Sequence, residues 1–89
     1  MRAVITVIGK DMVGILAKIS TECCNHNINV LEVTQSILQD MFAMIMMVDI
    51  SKSDTPFTEF SDMLGKIGTE MGLSIHAMHE DIFNAMHTI

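Results

Sequence analysis

The sequence predicts an α+β domain of ferredoxin-like type: a βαββαβ chain folding into an antiparallel four-stranded sheet, two helices on one face, and a short C-terminal tail helix. Three observations predict it. Residues 3 to 8, Ala-Val-Ile-Thr-Val-Ile, and the later run MFAMIMMVDI are apolar on both faces, as strands with neighbours on each side are. Two other stretches repeat apolar residues at spacings of three and four, the period of amphipathic helices. Right-handed crossovers through both helices then place them on one face and put the first and third strands inside the sheet, the same two that composition makes central.

The totals bound the rest. With 89 residues the chain builds one core, read as a single domain over 1–89 with 82–89 as its tail, and it is small enough for association with a second copy to help. Hydrophobic residues make up 49% and charged residues 18%, which excludes a disordered chain. No apolar run approaches the roughly 20 residues that cross a bilayer, and MRAVITVIGKD lacks a secretion signal's cleavage site, so a cytoplasmic protein is expected. The net charge of −6, with five Lys or Arg spread singly, offers no footprint for nucleic acid or anionic lipid. Adjacent Cys23 and Cys24 are expected to be free thiols, since a bridge between neighbours is strained and neither has another partner. Ten Met with no Trp or Tyr mean a core filled by flexible side chains.

Along the chain, the first strand stops at Gly9. From about Val13 the apolar positions Ile15, Leu16, Ile19 and Cys23, with Cys24 or His26, predict a helix to Asn25, and Asn25-His26-Asn27 stops it because Asn tolerates the left-handed conformation. A second strand begins at Ile28, with Leu31, Val33 and Ile37 opposed to Glu32, Thr34 and Ser36, a half-exposed pattern suited to an edge. A two-residue turn at Gln39-Asp40 would set Ile37 opposite Phe42, Val33 opposite Met46 and Leu31 opposite Val48. SKSDT supplies polar caps, Pro56 suits the first turn of a second helix, Phe57, Phe60, Leu64, Ile67 and Met71 form its apolar stripe, and Gly72 ends it. Residues 73 to 79 alternate Leu73, Ile75 and Ala77 against Ser74, His76 and Met78, a fourth strand at the other edge. The tail from Asp81 puts Ile82, Met86 and Ile89 on one side of a helix too short to stand alone.

Helices on one face leave the other face of the sheet bare, yet Ala43, Ile45, Met47 and one side of the first strand are not polar. Such a patch marks an interface, most simply in a homodimer or higher homo-oligomer; the competing reading is that the tail folds back over it. At the first strand-to-helix corner, Lys10 to Leu16, the amides of Val13, Gly14 and Ile15 would hold a carboxylate at the positive end of the helix; a corner that merely needs glycine explains the same residues. His76 and His79 fall on opposite sides of a strand and cannot share a metal, and Cys23-Cys24 lacks the two-residue gap of a zinc knuckle. His26, three residues after Cys23, leaves a catalytic thiol as an alternative to a buried one. Glu59, Asp62, Glu70, Glu80 and Asp81 are scattered, and no phosphate loop or serine elbow is present, so neither an enzyme, a metal nor a cofactor is expected.

With KDMVGILAKIS at the first corner of this element order, the chain resembles an ACT domain, the small ligand-sensing module of amino-acid-regulated enzymes, over nearly its whole length. Members show an acidic or amide residue, a basic residue, Pro and Gly before the helix. Here Asp11 and Gly14 match, Met12 and Val13 depart, and Ile15-Leu16 follow. A second feature, an Asn entering the second strand, is matched by Asn29 in NHNINVLEV, with Asn27 as the helix stop beside it. FAMIMMVDI and HEDIFNAMHTI are most similar to the small stand-alone ACT proteins of bacteria and archaea. The resemblance implies a dimer, its sheets joined side by side or packed face to face, with an amino acid held between the Asp11–Leu16 loop of one subunit and Asn29 of the other. Two functions are therefore carried forward: a regulatory module binding a small amino acid or related metabolite, and a ligand-free module that engages an enzyme or regulator.

Overall fold

The computed structural model describes residues 1–10 and 14–87. In order it contains β1 (Arg2–Gly9), α1 (Ile15–Asn25), β2 (Asn29–Leu38), β3 (Met41–Asp49), α2 (Phe57–Met71), β4 (Ser74–His79) and α3 (Glu80–His87). The strands form one antiparallel sheet in the order β2-β3-β1-β4, so β1 and β3 are interior and β2 and β4 are edges, as the two-sided and alternating patterns predicted.

Alternation decides which residues face the helices. Ala3, Ile5 and Val7 of β1 stand beside Val48, Met46 and Met44 of β3, and all six are buried in one cluster with Ile15, Ile19 and Cys23 of α1 and Phe60, Leu64 and Ile67 of α2. Leu16 and Cys24, expected among the apolar positions of α1, are instead exposed, because an 11-residue helix at the side of the sheet buries only a narrow stripe. Met71 is exposed for a similar reason: it lies at the last turn of α2, just before Gly72 turns the chain at φ +72°. Pro56 lies one position outside α2, and the SKSDT residues do not cap that helix; Ser53 closes on Thr55, accepting its N–H at 3.2 Å and donating to its carbonyl at 2.8 Å.

Two expectations need correction in β2 and in the tail. Ile37 does oppose Phe42 and Val33 does oppose Met46, but Val30, not Leu31, opposes Val48. A bulge between Val30 and Glu32 leaves Leu31 unpaired and exposed, and the strand starts at Asn29 rather than Ile28. The tail helix starts at Glu80, directly from β4, and packs against β1 and β4. Its Ile82 and Met86 face solvent at 53% and 69% exposure, while Phe83 is half-buried. Ile89, the third residue of the expected stripe, lies outside the described residues.

The face opposite α1 and α2 is accordingly covered at one end only. Val4 faces that side and is fully buried between Met47 and Met78, with α3 as the element packed there. Further along, Ile8 is 46% exposed and Ile45 37%. The expected patch is thus divided: the tail takes the Val4 end and leaves Ile8, Ala43 and Ile45 accessible.

Candidate functional site

Those of the eight residues singled out for ligand contact that the structure describes fall at opposite ends of α1. Asp11, Met12 and Val13 lie outside the described residues. Gly14 occupies the cap position at φ +79° and ψ −4°, a left-handed corner, and its carbonyl accepts from the Lys18 N–H at 3.0 Å. No side chain caps the first turn and no acidic residue sits in it, so the positive end of α1 is uncompensated among the described residues. Gly14 is exposed, and a Cβ added there would meet nothing among the described residues within 4 Å. Ile15 turns its side chain into the core and offers only its amide, whereas Leu16 stays exposed beside it.

Asn27 and Asn29 stand at the other end. The 11 residues of α1 rise roughly 16 Å at about 1.5 Å each, so within one chain they do not meet the Gly14 corner. Asn27 adopts φ +60°, as a helix stop requires, and its amide donates to the Lys52 carbonyl at 3.0 Å, tying this turn to the loop after β3. Asn29 opens β2 directly across from Asp49 and is exposed. The bulge creates this pairing: had the register of Glu32 with Met47 continued, Asn29 would fall one residue beyond Asp49.

Around these two asparagines lies an open groove of about 480 Å³, walled also by Ser20 and Cys24 of α1 and by Asp49 and Lys52. Asp49 is held below the usual carboxylate range chiefly because the Ser51 hydroxyl and then the Ser51 N–H, at 2.9 Å, donate to it. Sequence reasoning missed Asp49 and Lys52. The signal available was the position of Asp49 at the end of a strand antiparallel to the one Asn29 begins, but the bulge that aligns them left no mark in composition.

The remaining candidates separate cleanly. Among the described residues no side-chain hydrogen bond joins His26 to Cys23: the His26 Nδ1 lies 3.1 Å from Asp54 Oδ1 and 2.9 Å from Thr55 Oγ1, a network spanning two loops. Cys23 is buried, and burial pushes its thiol up to about 11, the neutral form a nucleophile does not use. His76 is exposed on one face of β4 and His79 lies half-buried, stacked on Phe57 at 4.4 Å. Among the described residues no three His, Cys, Asp or Glu side chains are placed to hold a metal, and no helix is long and apolar enough to cross a membrane.

A ferredoxin-like sheet whose first helix begins at a glycine corner that no side chain of the described residues caps, with an Asn at the start of the second strand, defines a small βαββαβ domain. The ACT domain profile matches residues 2–78, and the chain belongs to the ACT domain family. Its relatives include a UPF0237 protein of Listeria innocua, 47% identical over 100% of both chains, and a UPF0237 protein of Methanopyrus kandleri, 43% identical over 99% of this chain and 98% of that one. Among solved structures, an ACT domain protein from Streptococcus pneumoniae superposes with a TM-score of 0.80 at 28% identity, covering 100% of this chain and 97% of that one. A formyltetrahydrofolate deformylase from Pseudomonas syringae shares the fold, with a TM-score of 0.76 at 21% identity, over 88% of this chain and 27% of the deformylase.

Proposed function

We propose that this protein is a non-catalytic regulatory module of the cytoplasm that binds a small amino acid or related metabolite at a homodimer interface. The ligand's carboxylate meets the Asp11–Leu16 corner of one protomer, and Asn29 of the other closes the site. What supports this reading above all is the Gly14 corner: an exposed glycine at the positive end of α1, where no side chain of the described residues caps the first turn. Membership of the ACT family supports the ligand class. The distance between Gly14 and Asn29 along α1 supports the second protomer, because one chain alone cannot bring them to a single small molecule. Binding then changes assembly or partner contact by its differential affinity for the two states.

A thermal-shift screen of the twenty amino acids tests it. One or a few are expected to raise the melting temperature saturably, and Gly14→Val or Asn29→Ala to abolish the rise. A second reading has its own observation: Ile8, Ile45, Ile82 and Met86 expose apolar surface that a protein partner would cover. Flat curves for every amino acid, together with a light-scattering mass above that of a monomer, favour that ligand-free interaction module.

A further inference from the structure

The groove beside Asn29 holds two opposite charges that do not neutralise each other. Asp49 and Lys52 are three residues apart and both border it, yet neither is the other's ion-pair partner: among the described residues Asp49 takes Ser51 and the chain's amino terminus, and the only bond of Lys52 is through its backbone carbonyl. The groove is also built rather than incidental. Asn27 clamps the Lys52 backbone, Ser51 fixes the Asp49 rotamer, and the bulge at Leu31 brings Asn29 opposite Asp49. The hydrogen bonds and ion pair of Asp49 among the described residues all fall on Oδ1, which leaves Oδ2 available. Among the described residues no hydrogen bond engages the Asn29 side-chain amide, and Asn29 is exposed beside it.

We infer that Asp49 and Lys52, with Asn29, form the charge-reading half of the ligand site and make it selective for a free zwitterionic α-amino acid. Asp49 Oδ2 accepts from the ammonium, Lys52 Nζ donates to the carboxylate, and the Asn29 amide bridges the two. The helix end above the groove has no basic residue in its last turn, so the negative end of α1 adds to the preference for an ammonium there. A carboxylic acid without an amine meets Asp49 unpaired, and an amine without a carboxylate meets Lys52 unpaired. Each mismatch leaves a like charge close by, which disfavours binding. This assignment rests on the amino-acid reading proposed above and adds which groups recognise which end of the ligand.

The test follows ¹⁵N-labelled protein by NMR while each amino acid that stabilises it is titrated beside its matched acid and amine, for instance L-alanine, propionate and ethylamine. The expected result is saturable shifts of the Asn29 side-chain amide and of the Ser20, Asp49 and Lys52 backbone amides, with acid and amine each binding at least about tenfold more weakly. Asp49→Asn should erase discrimination against the acid, and Lys52→Met discrimination against the amine, with circular dichroism confirming that both variants fold. If the amino acid moves only the Gly14–Leu16 amides, or both variants titrate like the parent protein, the charge-reading assignment falls while the amino-acid module stands. If no amino acid gives a saturable shift anywhere, both fall.

Discussion

The two faces of the sheet treat equivalent residues in opposite ways. Beneath α1 and α2, alternate residues of β1 and β3 are all buried, from Ala3 and Val48 at one end to Val7 and Met44 at the other. On the reverse face the same two strands run from a buried Val4 to an Ile8 almost half exposed. One short helix, α3, makes that gradient. Folding is secured on the first face, and the second is left as a surface whose apolar character becomes useful only in contact with something else.

Mutations graded across the two faces would break this contrast if it is wrong. Phe60→Ala empties the centre of the helix-covered core and should cost about 3–5 kcal/mol in urea unfolding, enough to unfold a domain of this size under mild conditions. Val4→Ala removes less volume from the part of the open face that α3 covers. A loss of about 2 kcal/mol is expected, and a loss near zero would mean that α3 does not shield this end. Ile45→Thr, in the uncovered part, should change monomer stability by no more than about 0.5 kcal/mol while lowering the mass seen by light scattering if copies associate through this face.

The smallest effect is one of pH. The Cys23 thiol is raised from 9.0 to about 11 by burial and then by Glu22, so the folded state keeps a proton that the unfolded chain gives up. That contribution is complete below pH 9 and is lost as pH rises from 9.0 towards 11. Cys23→Ala should flatten the alkaline limb of a melting-temperature profile. At the acid end the sign reverses: Asp54 is lowered by Thr55 and His26, so its contribution is present above the usual carboxylate value and fades as pH falls below it.

Much of this arrangement was legible in the sequence because it rests on local periodicity. Two-sided apolar runs marked β1 and β3 as interior, the stripe from Phe57 ending at Gly72 marked α2, and Asn27 marked the end of α1. What was not legible depends on contacts between distant residues. The network of His26 with Asp54 and Thr55 joins positions 28 and 29 apart, and nothing in either segment names the other. The sequence sets Ile82 and Met86 on one apolar side of the tail helix, yet that side faces solvent and Phe83 is the half-buried residue: a single turn of apolar spacing does not say which side finds a neighbour. Of the candidate site, the Gly14 corner was read from the glycine turn ahead of an amphipathic helix and Asn29 from the resemblance, while Asp49 and Lys52 needed the groove itself.

The extra residue at Leu31 has a wider consequence. A strand keeps two interleaved rhythms, one inward and one outward, and a single inserted beat exchanges them from that point on. Drawing this stretch straight with Leu31 kept in the ladder would set Leu31 opposite Val48 and Val30 opposite Asp49, turning Asn29 to the inner side, silencing the polar mouth and burying an amide. Hydrogen-bond regularity along this margin is therefore traded for the aim of one asparagine.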